Sequence, residues 1–290
     1  MSRVLVVAGP TAAGKSALAR ALAERLGWTL VSADAMQVYR GLDIGTGKPT
    51  AEERARVRHV GVDVVPPADP FDAADFVALC EAAMAEGPVV VCGGTTLYLQ
   101  ALRRGLVEAP AGGPALRAEL EALPDLHAAL AAVDPALAAR LHPHDRVRLL
   151  RGLEVHRLTG ERLSALQDAH AAEPDRHELV GVWLDRPDLD ARIDARVLAM
   201  MAAGYVDEVR GLLALGVSPD CKPMRSLGYR HLTEHVLTEL PIDEAVRRTQ
   251  RDTRAFARKQ RTWRKALPLP AVGPDDAAAA VDAAARAVRG

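Results

Sequence analysis

The segment Gly9-Pro10-Thr11-Ala12-Ala13-Gly14-Lys15-Ser16 fits the pattern G-x-x-x-x-G-K-[ST], and it lies between an apolar run at residues 4–8 and leucines at helical spacing, Leu18, Leu22 and Leu26. Small residues let backbone N–H groups converge on phosphate oxygens, and the start of a helix adds positive dipole. Lys15 supplies a cation, and the Ser16 hydroxyl is a ligand suited to Mg2+. In this strand, turn, helix setting the motif predicts a phosphorylated ligand. Which bond is broken stays open, since such a cradle serves kinases, ATPases and transferases alike.

Other residues have the chemistry to act beside it. Asp34 sits at the end of a second expected strand, Thr29 to Ser32, and precedes Gln37 and Tyr39. A carboxylate so placed can accept a proton from an attacking nucleophile or help hold Mg2+, and the position equally suits a helix N-cap. Thr95 follows Gly93 and Gly94, where its hydroxyl can donate to a substrate close to the backbone or cap the helix containing Leu97 and Leu102. The strand at 88–92 runs into this glycine pair rather than into an aspartate. A nucleotide hydrolase would place a metal-organising acid there, so the ATPase and GTPase readings weaken. Arg225, in MRSLGYR, lies near a glycine turn and suits either a bidentate phosphate clamp or a surface ion pair. His142 and His144, in HPHD, lack a further ligand and read as loop histidines rather than a metal site. Arg148 and Arg151 share a helix face and look like polyanion contacts.

The elements that must position these residues alternate. Strands are expected at 4–8, 29–32, 62–65, 88–92 and 178–184, with helices at 15–26, 71–86 and after the glycine pair. Such alternation implies an α/β fold, a P-loop NTPase-like parallel sheet core with helices on both faces, and ligands bound beyond the carboxyl ends of the strands. From residue 111 the strand signal gives way to alanine, leucine and charge at helical spacing. Residues 111–176 are therefore expected to form a helical insertion domain. Residues 1–110 and 177–290 form the two parts of the core, the second carrying helices at 189–203, 206–215, 224–239, after Pro241 and at the end of the chain. The glycine-punctuated stretch 32–50 reads as a functional loop.

Composition, at 49% hydrophobic and 26% charged residues, is ordinary for a folded protein. Apolar runs are too short for a membrane span, and no secretory signal opens the chain, so a cytoplasmic location is expected. Cys80, Cys92 and Cys221 are far apart and read as buried thiols rather than disulfide or zinc ligands. No hydrophobic interface stripe stands out, and a monomer is expected. The net charge of −1 hides a strong asymmetry: residues 247–265 carry nine basic side chains against the single acid Asp252, with Phe256 and Trp263 interleaved. Such a surface attracts a phosphate backbone, and rings among guanidinium planes can stack on unpaired bases.

A small-molecule kinase and a non-catalytic P-loop RNA-binding protein share parts of this pattern. The assembled motifs, however, resemble the tRNA dimethylallyltransferases, also called tRNA isopentenyltransferases. The likeness runs in order through GPTAAGKS, SADAMQVYRGLDIGTGKPT, GGTTLYL, DPALAARLHPHDRVRLLRGLEV, RIDARVLAMMAAGYVDEV, MRSLGYR and TRAFARKQRTW. Thr96 stands where that family commonly has glycine, Ala35 where serine is common and His144 where asparagine is common. The resemblance implies transfer of a dimethylallyl group from dimethylallyl diphosphate to N6 of the adenosine 3′-adjacent to the anticodon in tRNA. Diphosphate is released, so the cradle Gly9, Pro10, Thr11, Ala12, Ala13, Gly14, Lys15 and Ser16 would grip a leaving group and no phosphoryl group moves. It implies Asp34 as the base that takes the N6 proton and Thr95 as an orienting group. Lys15, Arg225, the loop amides and Mg2+ at Ser16 would stabilise the departing charge. It further implies tRNA contacts at Asp34, Ala35, Met36, Gln37, Thr95, Arg117, Val147, Arg148, Leu149, Leu150, Arg151, Gln250, Arg251, Asp252, Thr253, Arg254 and Ala255. The insertion would grip the anticodon stem-loop, where an adenine leaves its stack at less cost than in a duplex.

Overall fold

A computed structural model describes residues 2–289 of the chain. Strand β1 (Ser2–Ala8) is buried from Val4 onward on both faces, as an interior parallel strand must be. The glycine-rich loop leads from it into α1 (Lys15–Leu26), and β2 (Thr29–Ala33) follows. Helix α2 (Ala51–Arg56) opens on a reciprocal cap: the Thr50 hydroxyl accepts from the Glu53 N–H, and the Glu53 carboxylate accepts from the Thr50 N–H. The next strand is β3 (His59–Val60), not the one expected at 62–65. That stretch is loop, and Val65 forms an isolated parallel bridge to Tyr39 in the loop after β2. Gly61 and Asp63 adopt left-handed backbone conformations there, which breaks the extended run that a strand needs.

Helix α3 (Ala73–Glu86), capped by Asp72, leads to β4 (Val89–Gly93), and α4 (Thr96–Arg104) follows the glycine pair. The helices α5 (Pro114–Glu121), α6 (Leu126–Val133), α7 (Pro135–Arg140), α8 (Arg146–Thr159) and α9 (Leu163–Ala172) come next. They belong to a compact unit, Arg104–Asp175, with its own leucine core of Leu120, Leu126, Leu130, Leu137, Leu149, Leu150 and Leu153. The unit begins ahead of its first helix because residues before α5 are tied to α8: Arg151 donates to the carbonyls of Ala109 and Pro110. Buried Asp134 caps α7 at the Leu137 N–H and accepts both the N–H and the hydroxyl of Ser164, joining α7 to α9.

The rest of the chain forms the sheet unit. It continues through β5 (His177–Leu184), α10 (Leu189–Ala202), α11 (Tyr205–Ala214), α12 (Tyr229–Leu237), α13 (Ile242–Trp263), β6 (Ala271–Val272) and α14 (Pro274–Arg289). The expected helix at 224–239 starts five residues later, since Gly228 at φ 80° and the turns before it do not propagate a helix. Strand β6 is too short to have been read from sequence. The strands order as β3-β2-β4-β1-β5-β6, all parallel. Side chains alternate across β1: Val4, Val6 and Ala8 pack with α3 and α4 residues such as Phe76 and Leu99, while Leu5 and Val7 pack with Leu22 of α1 and Val281 of α14. Helices thus cover both faces. Among the described residues no helix is long and apolar enough to cross a membrane.

Register carries the feature that matters for chemistry. Ala8 pairs with Gly93, and Gly93 pairs with Ala33. The loops after β1, β4 and β2 therefore leave the sheet at one level, side by side. A Cβ on Gly93 would strike the Ala33 carbonyl, so the site demands glycine for space alone. Gly93→Ala is expected to lower the unfolding free energy by about 1–3 kcal/mol, the usual cost of overpacking, as read by denaturant titration.

Candidate active site

The cradle closes on itself through bonds local in sequence. The Ala13 N–H donates to the Pro10 carbonyl at 3.3 Å, and the Lys15 ammonium reaches back to the same oxygen at 3.3 Å. Gly14 at φ 96° makes the turn into α1. Ala12 at φ 62° occupies a left-handed conformation that costs an alanine on the order of 1–2 kcal/mol. Its carbonyl accepts from the Arg192 Nε on α10 at 3.0 Å, and one charge-assisted bond is worth about 1.5–3 kcal/mol, enough to offset that strain. Helix α1 has no side-chain cap and no acid in its first turn. Its leading N–H groups therefore face outward as an anion site.

Asp34 stands at the end of β2. Its Oδ1 accepts from the Met36 N–H at 2.9 Å and the Gln37 N–H at 3.3 Å; residues 35–38 form turns and no helix starts there, so the acid fixes a turn rather than capping a helix. Among the described residues none donates a hydrogen bond to Oδ2. Thr95 Oγ1 accepts from the Ala35 N–H at 3.2 Å, and the Thr95 N–H donates to the Ala33 carbonyl at 3.2 Å. Thr95 thereby clips the β4 turn to the Asp34 turn instead of capping α4 with its side chain. The charges converge as well. Burial holds the Lys15 ammonium below its ordinary 10.5 and Arg196 adds to this, while the Cys92 thiol and the Asp34 carboxylate oppose it. The Arg196 guanidinium lies beside Gly47, and burial lowers its pKa against the pull of Asp34. Two desolvated cations and one carboxylate leave a net positive field at the mouth of the cradle. Ser16 is exposed there, with its hydroxyl against the Cys92 thiol, which burial pushes up to about 11.

The glycine-punctuated loop after Asp34 is fastened down. The Glu208 carboxylate on α11 accepts the N–H groups of Asp43, Ile44 and Gly45 and the Tyr229 hydroxyl. Lys48, almost wholly buried, donates to the Tyr39 carbonyl and to Asp43 and Asp63. The Gln37 amide spans the loop's two ends, accepting from Ser32 Oγ at 2.8 Å and donating to the carbonyls of Thr46 and Gly47. Its side chain is spent inside the protein.

Helix α13 carries the basic run as an amphipathic stripe. Arg247, Arg251 and Arg258 are exposed and follow helical spacing, while Ala245, Thr249, Ala257 and Gln260 are buried on the other side. Arg254 is half-buried and paired with Asp194 of α10. Gln250 donates to the Asp194 carbonyl, and the Thr253 hydroxyl donates to the Thr249 carbonyl; Ala255 is half-buried. Asp252 is no open contact: its carboxylate accepts from Arg230, His231 and Arg251, and Arg251 foremost holds it well below the usual carboxylate range. In the helical unit Arg117, Val147 and Arg148 are exposed, and half-buried Arg151 is engaged with Ala109 and Pro110. Leu149 and Leu150 correct the expectation of RNA contact there, because they lie at 0% and 2% exposure inside the leucine core. The inward face of α8 claims them by its 3.6-residue period. Arg225 stands exposed in the turn before α12, and among the described residues its side chain has no ion-pair or hydrogen-bond partner. Among the described residues no cluster of three His, Cys, Asp or Glu side chains is placed to hold a metal ion, HPHD included.

Comparison with known proteins decides the family. A profile of the IPP transferases matches residues 37–266. The chain belongs to the IPP transferase family. It is similar to the tRNA dimethylallyltransferase of Geobacter metallireducens, at 49% identity over 275 residues covering 90% of this chain and 89% of the relative. Its fold is similar to the crystal structure of tRNA delta(2)-isopentenylpyrophosphate transferase from Staphylococcus epidermidis, with TM-score 0.71, 28% identity and coverage of 100% and 99% of the two chains. It also matches a eukaryotic dimethylallyltransferase described as acting on tRNA, with TM-score 0.81 at 24% identity, covering 98% of this chain and 78% of that one.

Within this IPP transferase, sequence reasoning missed Arg192 and Arg196. Their signal was present as two arginines four apart in RIDAR, on one helix face. Glu208 was missed too, being one acid among many on helix surfaces. The depressed Lys15 sets a pH dependence. The protonated ammonium attracts an anion, so affinity for inorganic diphosphate should fall as pH rises, beginning below the ordinary 10.5 of a free lysine. Calorimetric titration across the alkaline range checks this, and Lys15→Met should be weaker throughout and lose the part of the fall that the lysine causes. Arg251→Ala should weaken tRNA binding and reduce the log–log salt slope by about 1, the share of one phosphate contact. A filter-binding series in salt measures it.

Proposed function

We propose that this chain transfers the dimethylallyl group of dimethylallyl diphosphate to N6 of the adenosine 3′-adjacent to the anticodon in tRNA, acting as a monomer in the cytoplasm. The observation that carries the reading is the Asp34 carboxylate. One oxygen is held by backbone N–H groups and the other is free, beside two cations at the mouth of a phosphate cradle. In the reaction the bond between N6 and the allylic carbon forms, the bond from that carbon to the diphosphate oxygen breaks, and the N6 proton passes to Asp34 Oδ2. Negative charge builds on the departing diphosphate. The leading N–H groups of α1, Lys15 and Arg196 meet it with preorganised positive charge, and Arg192 keeps the cradle in shape through Ala12. Thr95 orients the acid's turn, since its hydroxyl is the acceptor for Ala35.

A divalent ion fits this frame. The exposed Ser16 hydroxyl is a single hard oxygen donor, and Mg2+ typically takes one or two protein ligands with the remainder from substrate oxygens and water. Bound there, Mg2+ would supply further charge neutralisation for the leaving group. Exposed Arg225 remains available to a substrate phosphate from the α12 side. For RNA, the sheet unit offers the α13 stripe, and the helical unit by itself offers Arg117, Val147, Arg148 and Arg151, to the anticodon stem-loop. Exposed pairs such as Arg148 with Asp145 are worth about 0–1 kcal/mol, so exchanging them for a phosphate costs little.

The test is incubation with radiolabelled dimethylallyl diphosphate and bulk tRNA without ATP. Label in RNA is the expected outcome; a kinase or a passive RNA-binding protein gives none. Asp34→Ala should lower turnover by about 10²-fold or more while tRNA affinity stays near normal, in keeping with loss of a positioned base.

A further inference from the structure

Gln260 lies in the last turn of α13 at 3% exposure, among the cations of the basic run. Its carboxamide is spent on two loops of the site. Oε1 accepts from the Thr11 N–H at 3.0 Å, and Nε2 donates to the Gly94 carbonyl at 2.9 Å. The partners dictate its orientation, since a backbone N–H can only donate and a carbonyl can only accept. Thr11 is the third residue of the phosphate cradle, and Gly94 immediately precedes Thr95. Gly94 has room for the amide because a Cβ there would strike it and would also meet the Gly9 carbonyl. The helix behind Gln260 is itself held: Arg261 binds Asp185 at the end of β5 and the Arg186 carbonyl, and Arg254 binds Asp194 of α10.

We propose that Gln260 is a positioning residue, a carboxamide clamp that sets the separation between the phosphate cradle and the Gly93-Gly94-Thr95 turn. The role rests on the transfer reading above. In it, the leaving group sits in one loop and the base's turn is clipped by the other, so their spacing is the distance across which the reacting atoms must meet. The clamp also places these loops on the helix that bears the basic stripe.

Two variants test it beside the wild-type chain. Gln260→Met keeps the volume and removes both bonds; kcat should fall roughly tenfold to a hundredfold, as expected for a small misplacement of reacting groups, with KM for tRNA within about twofold. Gln260→Glu, when ionised, turns a second acceptor toward the Gly94 carbonyl. When protonated it restores one donor and one acceptor, so its kcat relative to wild type should rise from about pH 8.5 to about pH 6, burial having raised the pKa of the new carboxyl. A packing role alone gives no such pH recovery. Wild-type kcat in Gln260→Met, lost tRNA affinity at unchanged kcat, or a flat pH ratio in Gln260→Glu would each overturn the clamp. Absence of transfer by the wild-type chain would instead refute the transfer reading. Should Gln260→Met fail to fold, the Gln260→Glu profile decides alone.

Discussion

Parallel pairing of β1, β4 and β2 at the level of Ala8, Gly93 and Ala33 is the constraint on which the site depends. Three loops leave three neighbouring strands at the same height, so a phosphate cradle, a glycine turn and a carboxylate are brought together although they are separated by tens of residues in the chain. A slip of one residue would turn each strand's side chains to the opposite layer and would set the loops at different heights. Two buried layers oppose such a slip, because the two sets of β1 side chains pack against different helices.

Charge is arranged with the same economy. Lys15 and Arg196 are both desolvated, and Asp34 lies near both. A buried cation is costly unless an anion answers it. Asp34 answers in part, and in the proposed reaction a diphosphate would complete the compensation. In the proposed transfer, the cost of holding two cations in partial desolvation would be offset by an anionic leaving group. Glu208, Lys48 and Gln37 perform a quieter task, converting a glycine-rich loop that would otherwise be mobile into a fixed wall through bonds to its backbone.

Helix α13 joins the two halves of the problem. Its outer stripe is cationic and its inner face ends in an uncharged amide that touches the cradle and the glycine turn. Exposed arginines alone would supply attraction without geometry. Their helix is fixed to α10 and to the end of β5 by ion pairs, which gives the surface a defined position relative to the loops of its own unit.

What the sequence determined by itself follows from local rules. Hydrophobic period, glycine punctuation and the G-K-S turn specify β1, α1, β2, β4 and most helices, because each is decided by neighbours within one or two turns of chain. The cradle and the candidacy of Asp34 and Thr95 were legible for the same reason. The tertiary structure decided what depends on distant partners. It turned Leu149 and Leu150 inward, bound Asp252 to Arg230 and His231, moved the edge strand to His59–Val60, and brought Arg192, Arg196, Glu208 and Gln260 to the site. In the chain those four are an arginine pair, an acid and an amide on helices like any others. Their roles arise from contacts across more than a hundred residues, and even the arginine pair at helical spacing does not name its partners.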